Sequence, residues 1–468
     1  MTLRAGSEAM PSASSAIPFL AHSAPDAVVA RGTAGPIDVR QFLDDAGRLA
    51  AALPDSAHLL NLCTDRYRFA VGLCAALLRG QVTLLPPGVA PALLRELSQT
   101  YPGLYALADA EVSDCPLPVC DFERATAAGR PLPSIPLFAP TRPAVIAFTS
   151  GTTGRPTPHS KRWGSLAAGA MAESAALGLN TERGVTLVGT VPPQHMYGLE
   201  SAVMLGLRNG YALYAPRPFY PADIRVALER IPAPRVLVTT PVHLRALLAE
   251  EARLPPLRLI LSATAPLPPE LAAQAEQRYA APLMEIYGFT EAGQVASRRT
   301  TAGPVWRTLP GVRLRVDGQG AWFSGGSIHE EALSGDIVTA ADESSFTLHG
   351  RNADLVNIAG KRASLAYLDQ QLLQIEGVRD GCYFAPDETD TAAARGQGVP
   401  RLTAFVVAPQ LTRSALLSAL RQRVDPVFLP RPLYLVDALP RNATGKLTRE
   451  SLVSLARRLQ QPRSARAR

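Results

Sequence analysis

No segment of this 468-residue chain is apolar for long enough to cross a bilayer. Its longest apolar run, Phe69 to Leu78, is about half of the roughly 20 residues that a membrane helix requires. The first residues include Arg4 but no continuous apolar stretch of the kind that marks a signal peptide, so the expected location is the cytoplasm. Cysteine is scarce. Cys63, Cys74, Cys115, Cys120 and Cys382 are odd in number and show no metal-type spacing and no histidine partner motif, which argues against structural zinc. Reduced thiols are expected, although Cys115 and Cys120 are near enough in sequence for a local disulfide. No internal repeat is detectable, and the Walker A spacing, with Lys-Ser/Thr after its second glycine, is absent, which disfavours a P-loop kinase. At 47% hydrophobic and 19% charged residues, disorder as the main state is excluded.

What is present is a run of glycines and hydroxyls, Phe148-Thr149-Ser150-Gly151-Thr152-Thr153-Gly154-Arg155-Pro156, directly after the apolar stretch Ala144-Val145-Ile146-Ala147. It reads as a strand feeding a phosphate-binding loop. Glycines let successive amides converge on anionic oxygens, while Thr149, Ser150, Thr152 and Thr153 add hydroxyl donors. A plain surface turn has the same composition, so the reading gains weight only from the rest of the chain.

Around this loop the chain alternates strand and helix. Leu59 to Val89 reads as strand, a helix bounded by Asp65 and Gly80, and strand, and the pattern recurs from Val185 to Ser262. The expected fold class is α/β, a large multi-subdomain N-terminal body of layered sheets and helices with largely parallel strands. A Pro-rich connector spans Glu111 to Pro143, and a small β-rich subdomain follows Gly303. A last α+β block has helices at Leu365–Ile375 and Arg413–Arg423 and strands at Gly381–Phe384 and Leu402–Val407. The boundary is placed near Asn352, giving a body of residues 1–352 and a small mobile lid of residues 353–468.

Four later segments complete an ordered set with the loop: Pro192-Pro193-Gln194-His195-Met196-Tyr197-Gly198; Tyr287-Gly288-Phe289-Thr290-Glu291; Gly335-Asp336 with Gly350-Arg351; and Pro440-Arg441-Asn442-Ala443-Thr444-Gly445-Lys446. Together the five resemble the adenylate-forming superfamily of acyl-CoA synthetases, aryl-CoA ligases, luciferases and peptide-synthetase adenylation domains. The resemblance covers about Asn61 to Arg449. It implies ATP and Mg2+ as cofactors, and a carboxylic acid as substrate. Hydroxide is a poor leaving group, so the acid is first activated by attack on the α-phosphorus of ATP, with positioning and charge neutralisation as the main tasks.

By position, the resemblance assigns ATP or AMP contacts to Thr149, Ser150, Gly151, Thr152, Thr153, Gly154, Thr264, Ala265, Pro266, Tyr287, Gly288, Thr290, Asp336 and Arg351. Tyr287 lies along the adenine, the Ser262–Leu267 segment meets that ring, and Asp336 holds the ribose hydroxyls. Glu291 is the implied magnesium ligand and, with Lys446 and His195, a catalytic residue. The plain alternative for Glu291 is a glutamate at a helix start after Thr290. Lys446 opposes the charge that builds between carboxylate and α-phosphate. His195 lines the acyl pocket, and Gly360 and Arg362 belong to the thiol and lid region. The hinge position, usually Asp or Lys, is Ala353, with Asp354 beside it as a stand-in.

One departure narrows the reading. The usual lysine after the loop proline is Thr157, and the run goes on Pro158-His159-Ser160-Lys161-Arg162-Trp163, so positive charge has moved downstream. This continuation looks like that of the stand-alone ligases of aryl polyene and xanthomonadin pigment pathways, which load an aromatic hydroxy acid onto an acyl carrier protein. A hydroxybenzoate-like acid and a carrier-protein acceptor are therefore expected, with coenzyme A as the rival acceptor. An account of another class is a non-catalytic nucleotide- or acyl-binding protein on the same scaffold; retention of Glu291, Asp336, Arg351 and Lys446 favours the enzyme. The net charge of +7, with five arginines between Arg457 and Arg468, suits ATP, coenzyme A or an acidic carrier equally. No nucleic-acid module accompanies it, so no nucleic-acid partner is expected.

Overall fold

Short apolar strands joined through helices return in the same direction, and both large sheets are built that way at their centres. The computed structural model describes residues 16–86, 88–150, 156–250, 253–351, 355–358, 361–386, 402–442 and 445–460. The first sheet begins with β1 (His58–Asn61), helix α1 (Arg66–Arg79) and β2 (Val82–Leu85). Helix α1 has the expected ends: the Asp65 carboxylate accepts from the Arg68 backbone N–H at 3.1 Å, and Gly80 closes it at φ 77°. With β3 (Tyr105–Ala108), β4 (Val119–Asp121), β5 (Pro143–Ser150) and β6 (Pro156–Arg162) the order is β6-β5-β2-β1-β3-β4. Every pairing is parallel except β5 with β6, the two strands that flank the glycine-rich loop. Helix α2 (Trp163–Ala176) follows, with Trp163 fully buried and stacked on Phe19 at 5.1 Å between ring centroids.

The second sheet has eleven strands. At its centre β7 (Thr186–Gly189), β8 (Ala212–Tyr214), β9 (Arg235–Thr239), β10 (Leu259–Ser262) and β11 (Leu283–Phe289) run parallel, together with strand Val28–Gly32. Helix α3 (Pro241–Ala249) links β9 to β10. Beyond β11 the sheet turns antiparallel through β12 (Gly293–Arg299) and β13 (Val305–Thr308). The expected β-rich subdomain follows as a three-stranded antiparallel sheet of β14 (Val312–Asp317), β15 (Gly320–Gly325) and β16 (Ile328–Ser334). Strands β17 (Asp336–Ala340) and β18 (Ser345–Arg351) then close the antiparallel edge of the second sheet.

The last part is α+β, as expected. Helix α4 (Leu365–Leu373), β19 (Asp380–Phe384), β20 (Thr403–Val407), α5 (Arg413–Arg421), β21 (Leu433–Leu435) and α6 (Arg449–Gln460) build a three-stranded sheet with helices around it. Its apolar clusters, centred on Leu368, Leu372, Val406 and Leu416 and on Phe405 and Leu455, draw no residue from before Val356. The other clusters draw none from beyond Leu348. The fold is thus a large N-terminal α/β domain and a small C-terminal domain. The expected boundary residue Asn352 and hinge Ala353 lie outside the described residues. All five cysteines are free thiols, and among the described residues no helix is long and apolar enough to cross a membrane.

Candidate active site

Most of the residues singled out by sequence gather at the carboxyl ends of the parallel strands, where open α/β sheets leave a crevice for ligands. Strand register explains the first contact. Thr157 pairs with Thr149 and Pro156 with Ser150, so β5 and β6 bring the two ends of the loop together; Gly151, Thr152, Thr153 and Gly154 lie outside the described residues. Alternation along β6 puts His159 and Lys161 on one face. His159 Nε2 is 3.0 Å from Thr149 Oγ1 and 3.8 Å from Glu291 Oε1, and the buried Lys161 donates to the Glu291 carbonyl at 2.6 Å.

Glu291 is not at a helix start. Phe289 pairs with Gly293 and Gly288 with Gln294, so Thr290, Glu291 and Ala292 form the tight turn between β11 and β12. Gly288 has a local reason: a Cβ there would come within 2.6 Å of the Gly293 carbonyl oxygen. Gly293 sits at φ 85° with the Glu200 carboxylate against it, 2.5 Å from where a Cβ would stand. The Glu291 carboxylate itself is 41% exposed. Among the described residues no group of three or more His, Cys, Asp or Glu makes a metal cage. A lone exposed carboxylate nevertheless suits magnesium, which keeps several waters and takes one or two carboxylates together with phosphate oxygens.

Asp336 opens β17 directly across from Arg351 on β18. Tyr287 is buried among Trp306, Phe323 and Phe346, and its hydroxyl donates to Asp336 Oδ2 at 2.6 Å and lies 2.7 Å from Ser334 Oγ. The tyrosine expected along an adenine is therefore also the group that holds the neighbouring carboxylate. Thr264, in the turn after β10 with Ala265 and the exposed Pro266, has φ 79°. A β-branched residue in the left-handed region is strained, and such strain gathers at ligand sites.

His195 caps a short turn, its Nδ1 accepting from the Tyr197 N–H at 3.2 Å. The segment is pinned on two sides: Tyr197 Oη donates to the Leu261 carbonyl at 3.0 Å, and Gln194 Nε2 donates to the Cys63 carbonyl at 2.6 Å. Gly198 is forced, since a Cβ would lie 2.0 Å from the Pro192 carbonyl oxygen. Burial first, and then the positive charge of Lys446, push the imidazole down to about 3, so it is neutral at working pH. Lys446 thus sits within electrostatic reach of His195. Its loop is braced by Arg441, which donates to both Asp380 oxygens at 2.9 and 2.7 Å and to the Gly445 carbonyl at 2.8 Å. Gly445, at φ 78°, lies against Thr240 and Val242 at the start of α3. Arg362 lies on a short strand paired with Asn357, and Gly360 and Ala353 lie outside the described residues.

Behind the site is a buried polar set that no sequence motif announced. Glu173 of α2 is fully buried and accepts from Gln294 Nε2 at 3.0 Å; burial lifts its carboxyl to about 8, against the pull of hydrogen bonds from Ser201 and Gln294. Unfolded, it ionises from an ordinary value of 4.5. The folded protein therefore takes up a proton between those two values, and stability falls as pH rises across that window. Glu173→Gln removes this dependence. We expect the variant to match the parent near about pH 5 and to exceed it by a few kcal/mol near about pH 8. Urea unfolding at both values checks this, and a gap that does not widen with pH contradicts it.

Crevice loops at the carboxyl ends of a parallel sheet, with the acidic Glu291 turn linked to Thr149 through His159, place the molecule among the α/β enzymes. The chain belongs to the AMP-binding enzyme family, whose model matches residues 71–321. It is 30% identical over 317 residues to the 4-coumarate–CoA ligase of Halorhodospira halophila, covering 64% of this chain and 73% of that one. To the 2-succinylbenzoate–CoA ligase of Bacillus velezensis it is 27% identical over 351 residues, with 67% and 69% covered. In fold it matches the O-succinylbenzoate coenzyme A synthetase of Bacillus subtilis in complex with ATP and magnesium ion, at TM-score 0.76 and 19% identity over 91% of this chain and 96% of that one.

Proposed function

We propose that the protein is an AMP-forming acid–thiol ligase that activates an aromatic carboxylic acid with ATP and passes it to a pantetheine thiol. The observation that carries the reading is that His159 links Thr149 to Glu291 at the carboxyl ends of the strands, with the loop of Lys446 set against Thr240 and Val242 from the small domain. In the first step a carboxylate oxygen attacks the α-phosphorus; the acyl–phosphate bond forms, the α–β bridge breaks and pyrophosphate leaves. In the second the thiol sulfur attacks the acyl carbon, the C–S bond forms, the acyl C–O bond to AMP breaks, AMP leaves and the thiol proton passes to solvent.

Lys446 holds the two anions together as they approach. The loop from Thr149 to Gly154 cradles the phosphates, Thr290 faces them, Asp336 and Arg351 hold the ribose, and Thr264, Ala265, Pro266, Tyr287 and Gly288 line the adenine side. His195 borders the acyl group. Glu291 would hold magnesium, which would neutralise phosphate charge there. The residues after Asn352 form a lid that turns about Ala353 between the half-reactions; the separation of the apolar clusters supports this division. An aromatic acid is supported by the substrates named for the relatives. The same names favour coenzyme A as acceptor, while the Pro158–Trp163 continuation favours an acyl carrier protein.

Pyrophosphate release across aromatic and aliphatic acids, with coenzyme A or pantetheinylated carrier as acceptor, tests the reading. A signal that needs one acid and rises with one acceptor supports it; silence from folded, ATP-binding protein overturns it. A second expectation concerns Tyr287, whose hydroxyl holds Asp336. A hydrogen bond to a carboxylate is worth about 1.5–3 kcal/mol, so Tyr287→Phe should raise KM for ATP about tenfold or more while kcat changes little. Steady-state kinetics in ATP at saturating acid decides this.

A further inference from the structure

We propose that Lys161 and His159 strap the Glu291 turn to Thr149 at the end of β5, and that Lys161 supplies the buried positive charge facing the β- and γ-phosphates of the nucleotide. The inference rests on the ligase reading and names two positioning residues which that reading does not use. Four observations meet. Lys161, 7% exposed, spans 130 positions of sequence to donate to the Glu291 carbonyl at 2.6 Å. His159, two residues earlier on the same face of β6, stands between Thr149 at 3.0 Å and the Glu291 carboxylate at 3.8 Å. Position 157, where the family resemblance leads one to look for a lysine, is a threonine whose backbone pairs with Thr149. Glu200, packed against Gly293 at the end of the same turn, has its carboxyl lifted to about 7 by burial, while the charge of Lys161 pulls it down.

The physical logic is that a lysine is buried only where its charge has a task or a partner. Here the ammonium is bonded to the backbone of Glu291, the residue that the ligase reading sets beside the phosphates, with the Glu200 carboxyl within electrostatic reach. A charge on a rigid strand reaches a triphosphate with less entropy lost than one on a free loop. The strap also ties the two sheets together here, because displacing the Glu291 turn breaks the Lys161 bond and takes the Glu291 carboxylate away from His159.

Calorimetry on the full chain with ATP and with AMP, each with and without magnesium, tests this on parent, Lys161→Met, Lys161→Arg and His159→Ala. AMP lacks the two outer phosphates, so loss of a charge-assisted contact to them should weaken ATP about tenfold or more in Lys161→Met and leave AMP within about twofold. Lys161→Arg should recover most of the ATP affinity. His159→Ala should weaken ATP about threefold with AMP unchanged, as expected for one neutral hydrogen bond. Equal weakening of ATP and AMP, or ATP binding unchanged in Lys161→Met, overturns the proposal. A parent protein that binds neither nucleotide overturns the ligase reading instead, so the two failures are distinguishable.

Discussion

Lys446→Ala should lower acid-dependent exchange of pyrophosphate into ATP by about three orders of magnitude, while preformed acyl-adenylate still reacts with the thiol at close to the parental rate. The size follows from removing a cation aimed at charge that develops only as carboxylate and phosphate approach, a contribution on the order of 3–4 kcal/mol. The asymmetry follows from the chemistry: once the acyl–phosphate bond exists, the carboxylate's negative charge is gone and that cation has less to oppose. The loop should survive the change, because its own backbone, Asn442 and Arg441 hold it. Asn442 Oδ1 accepts from the Lys446 N–H at 2.9 Å, Asn442 N–H donates to the Lys446 carbonyl at 2.9 Å, and Arg441 ties the segment to Asp380. Exchange within about tenfold of the parent would remove Lys446 from the chemistry. Equal loss of both half-reactions would point to a misplaced small domain.

How far the sequence could be read depended on whether a contact is local. Helix α1 was legible to the residue because its cap and its stop, Asp65 and Gly80, are neighbours in sequence of the turns they serve. Two helices and two strands of the small domain were legible from periodicity, while strand Leu433–Leu435 and helix Arg449–Gln460 were not. The turn carrying Glu291 was only half legible: Thr290-Glu291 matches a helix-start pattern, and what makes it a hairpin is close approach at Gly288 and Gly293, which depends on strand pairing. Tyr287 could be placed at the site but not bonded to Asp336, 49 positions away. His159 and Lys161 were visible as charge displaced along the chain, and strand alternation would have put them on one face. Their partner Glu291 lies on another sheet, and nothing local names it. Segment 199–204 forms a π-helical turn.

Arg66→Met should cost on the order of 3 kcal/mol of stability, the largest loss expected from one substitution outside the reacting groups. An arginine in the first turn of a helix reads as exposed, but this side chain is fully buried and faces no carboxylate among its hydrogen-bond partners. Instead Nη1 donates to the carbonyls of Tyr214 at 3.3 Å and Pro216 at 3.0 Å, and Nη2 to those of Val191 at 2.7 Å and Gly189. Those four carbonyls stand where β7 and β8 run out, so no neighbouring strand can take over. Burial, and then Arg217, draw the guanidinium down to about 9, which still leaves it charged at neutral pH. Two effects oppose each other in the variant: methionine removes the cost of desolvating a charge, and it leaves up to four buried acceptors bare at about 1–3 kcal/mol each. The second wins because the donors come as one rigid fork that no single water replaces. The packing around the fork says the same, since a Cβ on Gly189 would lie 2.7 Å from it. Arg66→Lys should fall between the two proteins, retaining the charge but not the fork. Because Val191 leads directly into Pro192–Gly198, both variants should also disturb His195. Urea unfolding of the three proteins measures the effect, and a methionine variant within about 1 kcal/mol of the parent would show that the carbonyls find other donors.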